Sequence, residues 1–254
     1  KENLEKLLGI TAPARDALMR GELMALPGET YLAEQFERAD PGAIRAEREG
    51  LKAWLGAQLQ DALVALHERA SAVPYSLSAE ARGARKVKTQ ALVYLAAGVP
   101  ALAAELATAQ YDAADNMTDR QGAAMVLAGL DNPLRETKLA AFYQRFAGNA
   151  LVVDKWFSLQ AGSLHPRVLD QVAMLAGHPD FTLNNPNRVR ALYMALAGNL
   201  GAFHAADGRG YRMIADLILA LDPVNPQTAA RFVAPLGRWR RIEPGRAAQM
   251  RAEL

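Results

Sequence analysis

The sequence predicts an all-α protein, and three observations carry that prediction: abundant alanine, leucine stripes at helical spacing, and Asn-Pro pairs that punctuate them. Alanine makes up about a fifth of the 254 residues and is the best intrinsic helix former. The β-branched and aromatic residues that a large sheet needs are sparse.

Taken in order, the first strong stripe is Leu51, Leu55, Leu59, Leu63 and Leu66, with Lys52, Gln58, Gln60 and Asp61 on other faces. It predicts one long helix from about Pro41 to Leu66. Val168, Leu169, Val172 and Leu175 repeat the spacing, as do Val189, Leu192, Tyr193 and Leu196. Met213, Ile214, Leu217, Ile218 and Leu221 form a further stripe, and no stretch sustains the period-two alternation of a strand. Asn132-Pro133, Asn185-Pro186 and Asn225-Pro226 each precede a helical pattern. Asparagine caps an orphan backbone N–H, and proline at the first helical position gives up an N–H that had no partner. Asp40-Pro41, His165-Pro166 and Glu243-Pro244 are expected to work similarly, and Gly129, Gly148, Gly177 and Gly198 stand where helices should stop. Many moderate helices joined by short turns place neighbours antiparallel, and stacked antiparallel pairs build an α-solenoid. The Asn-Pro spacing is irregular, so no strict repeat is expected. With no Gly/Ser-rich or proline-rich linker, residues 1–254 read as a single domain.

Net charge is +2 with a pI near 8.9, only weakly basic and no signature of a nucleic-acid partner. The absence of cysteine removes disulfide scaffolds, thiolate metal sites and cysteine nucleophiles together, and fits a reducing compartment. No segment offers the uncharged apolar run of a membrane span, and no signal peptide is visible. A start at Lys1 rather than Met reads as a stretch of something longer.

Chemistry is hard to find. The histidines are His67, His165, His178 and His204. A zinc peptidase needs two histidines one helical turn apart with an intervening glutamate. His67-Glu68 begins that motif, but Ser71 stands where the second imidazole belongs, so His67 reads as a helix-surface residue. Asp207-Gly208-Arg209-Gly210-Tyr211 lacks the third glycine and preceding strand of a dinucleotide site and reads as a turn before the helix of Met213 and Leu217. Two basic clusters, Arg82, Arg85, Lys86 and Lys88, and Arg238, Arg240, Arg241, Arg246 and Arg251, read as solvated faces. The sharper alternative for the second, RNA binding, has only Trp239 as an interleaved aromatic.

An ordered set of motifs carries more. Asp115-Asn116-Met117-Thr118-Asp119, Asp154-Lys155-Trp156-Phe157 with Gln160, Asn185 to Arg190, Ala202-Phe203-His204-Ala205 with Asp207-Gly208, and Asn225-Pro226-Gln227 with Arg231 succeed one another. Together they resemble the C-terminal helical domain of the bacterial aminopeptidase N family, over essentially the whole chain. The resemblance implies an armadillo/HEAT-like α-solenoid, non-catalytic in itself, within a cytoplasmic zinc aminopeptidase that removes N-terminal residues from peptides. Zinc and the catalytic residues are then expected in the parent's catalytic domain on the same polypeptide, with no cofactor in this chain. The solenoid would cap that domain, enclose the internal cavity and control peptide access.

Three residues match family positions that face the cavity: Arg190, Gln227 and Arg231. Gln227 and Arg231, four apart, share a helix face, and a guanidinium fork suits a peptide carboxylate or carbonyls. The bland reading keeps both arginines on surface carboxylates or neighbouring helix ends. The rival from another class is a freestanding helical-repeat adaptor that grips a protein partner on a concave surface.

Overall fold

The computed structural model describes residue 6 and residues 17–254. Among the described residues the chain is helical without a strand, and the one strand-like pairing is an isolated parallel bridge, Ala39 to Ile242. It forms two compact units, one from Lys1–Pro27 with Glu47–Ala140, the other from Gly28–Ala46 with Ala141–Leu254.

The first unit contains α1 (Ala17–Leu23), the C-terminal part of α3 (Pro41–Gln58), α4 (Gln60–Ser71), α5 (Ala79–Gly98), α6 (Pro100–Ala113), α7 (Met117–Gly129) and the start of α8 (Pro133–Phe146). Each of α4 to α6 packs on its successor in the chain, and α5 also packs on α7, the stacking of a helical repeat. Leu55, Leu59, Leu63, Leu66, Tyr94 and Leu95 form the core with Met24, whose carbonyl accepts from the Tyr94 hydroxyl at 2.5 Å. Burial pushes the Tyr94 phenol up to about 12, so it stays a donor. The alanines are structural as well as helix-favouring. Ala103, Ala104, Ala107, Ala123, Ala124 and Ala128 are all buried on α6 and α7, where small side chains let helices approach closely.

Two expectations for the leucine stripe are corrected. The long helix breaks at Leu59, whose φ of −111° and ψ of 17° are not helical, and resumes as α4. Successive i+4 positions drift round a straight helix by about 40° each. Leu51 has accordingly left the core and is exposed, while the break keeps Leu55, Leu59, Leu63 and Leu66 in one cluster. Lys52, on another face of the helix, is buried as well, its ammonium 2.6 Å from Glu49.

The second unit contains α2 (Glu29–Glu34), the start of α3, the end of α8, α9 (Ala150–Ala161), α10 (Val168–Ala176) and α11 (Pro186–Val189). A π-helical turn over Arg190–Met194 leads into α12 (Ala195–Gly198). Then come α13 (Leu200–Phe203), α14 (Arg209–Leu221), α15 (Pro226–Gly237), a 3₁₀ turn at Trp239–Arg241 and α16 (Pro244–Ala252). The wider π turn interrupts the backbone ladder, and the Ser158 hydroxyl donates to the Ala191 carbonyl at 2.9 Å.

The punctuation is largely as expected. Asn185 and Asn225 cap α11 and α15, Glu243 caps α16, and Asp40 and Asn132 accept from backbone N–H groups at the starts of α3 and α8. Gly208, at φ 72°, occupies a left-handed conformation before α14 that any side chain would strain. His165-Pro166 differs: α10 begins two residues later, and His165 Nδ1 instead accepts from the Arg167 N–H at 3.1 Å. No helix among the described residues is long and apolar enough to cross a membrane.

Candidate functional site

The second unit holds a cavity of about 630 Å³. One wall comes from α15. Asn225 accepts from the Thr228 N–H at 2.9 Å to start that helix, and Phe232 and Leu236 bury its core face. Arg231 and Arg238, seven residues apart, lie along the cavity side. Pro235 sits between them inside the helix and withholds the N–H that the Arg231 carbonyl would otherwise accept. A second wall is the segment around Ala39, pinned where the Ala39 N–H donates to the Arg241 carbonyl at 2.8 Å and the Glu243 N–H to the Ala39 carbonyl at 2.9 Å. Met194, Ala197, Leu200, Phe203 and Ile242 supply apolar surface. The charged lining residues, Arg231, Arg238, Arg241 and Glu34, are exposed. Arg241 spends one donor on the Phe36 carbonyl at 3.2 Å. The arrangement is a greasy chamber with a positively charged rim.

His204 closes the inner side, 7% exposed, its Nδ1 2.7 Å from the Tyr211 hydroxyl. Burial, helped by the Arg246 guanidinium, holds its pKa down at about 4. A folded-state pKa below the unfolded value means folding favours the neutral ring. Stability from His204 is therefore present above the unfolded pKa and falls away as pH drops towards 4. Between about pH 7 and about pH 5 the expected loss is about 2 kcal/mol, and His204→Gln should flatten that part of a stability–pH curve measured by urea unfolding. A wild-type curve already flat there would refute the assignment.

Of the three residues that the resemblance turns towards the parent's internal cavity, Arg231 is the one that lies in the lining of this chamber. Gln227 is exposed one turn earlier on α15 and does not line it. Arg190 is exposed at the start of the π turn, donates to the Asn187 side-chain oxygen, and is also outside the lining. Arg238 and Arg241, which the sequence placed on a solvated face, are the arginines that join Arg231. The signal was present as the i, i+7 recurrence of Arg231 and Arg238 on one helix.

The basic clusters are mostly engaged. Arg85 lies 4.8 Å from the Tyr75 ring and donates to the Ser76 carbonyl at 2.9 Å. Lys86 pairs with Glu22, and buried Lys88 with Asp119 at 2.9 Å. Arg240 and Arg251 lie over the Trp239 ring at 4.4 and 4.9 Å. Arg246 ties together Asp40, Glu243 and the His204 carbonyl.

His67, expected on the surface, is buried, its Nε2 3.0 Å from Gln110 Oε1. The Gln110 amide donates to the Asp119 carbonyl at 2.9 Å, which leaves Oε1 to accept and makes His67 Nε2 the donor. Burial holds this imidazole below its ordinary pKa, and Lys88 adds to the effect. With Nε2 spent on Gln110 and serine at position 71, the His67 segment does not fit a zinc site. His178 sits among Tyr143, Trp156 and Phe157 and accepts from the Asp180 N–H at 3.1 Å.

A family model described as a domain of unknown function (DUF3458_C), ARM repeats, matches residues 2–254. Aminopeptidase N of Caulobacter vibrioides is 39% identical over 243 residues, which is 95% of this chain and 28% of that protein. Aminopeptidase N of Escherichia coli is 37% identical over 240 residues, 94% of this chain and 28% of that protein. The crystal structure of Legionella pneumophila aminopeptidase A in complex with aspartic acid matches with a TM-score of 0.88 at 27% identity. That match covers 98% of this chain and 30% of the Legionella chain. The chain thus spans less than a third of the length of these relatives.

Proposed function

The chain belongs to the family of ARM-repeat domains described as DUF3458_C, and from that premise we propose that it is the non-catalytic helical domain of a zinc-dependent aminopeptidase. It caps a catalytic domain on the same polypeptide, helps enclose the internal cavity around the zinc, and controls the entry of peptides in the cytoplasm. The observation that carries this reading is the alignment. Nearly all of this chain corresponds to 28% of aminopeptidase N, and the homology is to the C-terminal part of that enzyme. The arginine-rimmed chamber supports it, because a peptide approaching zinc by its N-terminus trails a carboxylate, and a guanidinium such as that of Arg231 attracts one. Arg190 and Gln227 act elsewhere on the same peptide path.

The test uses the enzyme encoded by the complete reading frame. Arg231→Ala is expected to raise KM severalfold for peptides of several residues and to leave single-residue amide substrates unchanged. One partly exposed ionic contact contributes about 1 kcal/mol or less, which is about fivefold. An equal loss on both substrate classes would overturn the access role. A reading frame with no catalytic domain would favour the freestanding adaptor instead.

A further inference from the structure

The cavity in the second unit combines features that narrow its ligand. Its walls are the apolar side chains of Met194, Leu200, Phe203 and Ile242, and its volume of about 630 Å³ lies in the range of pockets that hold small organic groups. Its charge is one-sided: Glu34 is the one carboxylate among the lining residues, against three arginines. Among the described residues Arg231 and Arg238 have no ion-pair partner, and Arg241 keeps donors beyond the one given to Phe36. Seven residues of helix separate Arg231 from Arg238 by about 10 Å, a span two long guanidinium side chains can close over one carboxylate.

We infer that this cavity is a subsite for the carboxy-terminal residue of a peptide with a large apolar last side chain, the terminal carboxylate meeting Arg231 and Arg238 and the side chain entering the chamber. The inference rests on the aminopeptidase reading and deepens it, by naming the peptide end and side-chain class that the chamber selects. A carboxylate matches the guanidinium forks in charge and geometry. An amidated end offers no charge, and an acidic last side chain would place a second anion against apolar walls, where an unpaired charge is costly. A medium-chain fatty acid shares the carboxylate and the apolar body. A peptide alone adds a backbone N–H, and Pro235 leaves the Arg231 carbonyl without its helical donor beside the rim arginines.

The experiment measures binding to the enzyme of the complete reading frame by titration calorimetry. The probes are N-acetylated tetrapeptides, whose blocked N-termini remove them from turnover. A peptide ending in leucine with a free carboxylate is expected to bind about tenfold more tightly than its amide or than the same peptide ending in aspartate. The double variant Arg231→Gln with Arg238→Gln is expected to abolish that preference. Ala234→Trp, which fills the chamber from an exposed lining position and leaves the arginines intact, is expected to weaken the leucine peptide severalfold. Equal binding of acid and amide, a preference that survives the double variant, or tighter binding of octanoate than of the leucine peptide would each overturn the assignment. If these fail while Arg231→Ala still discriminates by peptide length in turnover, the access role stands and the subsite does not.

Discussion

Gly56→Ala is expected to lower the melting temperature by about 6–12 °C, because a methyl group there has nowhere to go. A Cβ built on Gly56 would stand 2.0 Å from the Tyr94 carbonyl oxygen, and one on Gly98 would stand 2.3 Å from the Ala57 nitrogen. Both contacts are with backbone, so no rotamer change relieves them. The C-terminal part of α3 and the end of α5 touch main chain to main chain, and either substitution must prise them apart. The residues beside that contact, Leu55, Leu59, Tyr94 and Leu95, form the first unit's core. Overpacking typically costs about 1–3 kcal/mol and sometimes more; a backbone clash belongs at the upper end. For a chain of this size each kcal/mol moves the midpoint by about 2–4 °C. Gly50→Ala is the control, since nothing lies near a Cβ there on the same helix, and alanine should stabilise by about 0.5–1 kcal/mol. Thermal unfolding followed by circular dichroism separates the two, and a Gly56→Ala midpoint within about one degree of wild type would show that the close approach is not real.

Arg188→Met is expected to destabilise the protein by about 3–4 kcal/mol, the range for removing one partner of a buried ion pair. Arg188 is 5% exposed, and its guanidinium serves several acceptors. Its Nε donates to Asp154 at 2.5 Å, and one terminal nitrogen donates to the Asp180 carbonyl at 2.6 Å. It also lies 4.8 Å from the centre of the Phe157 ring. Methionine matches the aliphatic stem and leaves Asp154 without its counter-ion. The cost should therefore fall when Asp154 is removed as well: Asp154→Leu with Arg188→Met is expected to recover about half of the loss. Urea unfolding of the two single variants and the double measures this coupling. Strict additivity would mean that the arginine matters for packing alone.

These two sites show what a single sequence exposes. The helix boundaries were legible because their chemistry is local: Asn185, Asn225 and Glu243 cap helices that begin with proline. Asn116, Asn149 and Asn199 cap equally well, but without a following proline they carry no mark that separates them from loop asparagines. The π turn at Arg190 was invisible because an apolar stripe reads the same through one extra residue. His67 was misread because its partner Gln110 lies forty-three residues away, beyond any spacing rule. The candidate site was half legible: Arg231 stood out by resemblance, whereas its companions depend on walls from α2, α3 and α13 that only folding brings to α15. The close approach at Gly56 likewise depends on Gly98 and Tyr94, and no pattern along the chain pairs them.

The bridge between Ala39 and Ile242 has a consequence for how the polypeptide acquires its structure. It joins positions about two hundred residues apart, so the greasy chamber has no complete wall until synthesis nears the end of the stretch. A ribosome emitting this chain from the N-terminus exposes residues 28–46 long before their mates, while residues 47–140 between them can already collapse on local contacts. Loop closure over such a length costs only slightly more than over half of it. The delay is therefore one of timing rather than of equilibrium. A nascent chain stalled before Ile242 would carry a protease-resistant middle segment flanked by cleavable ends.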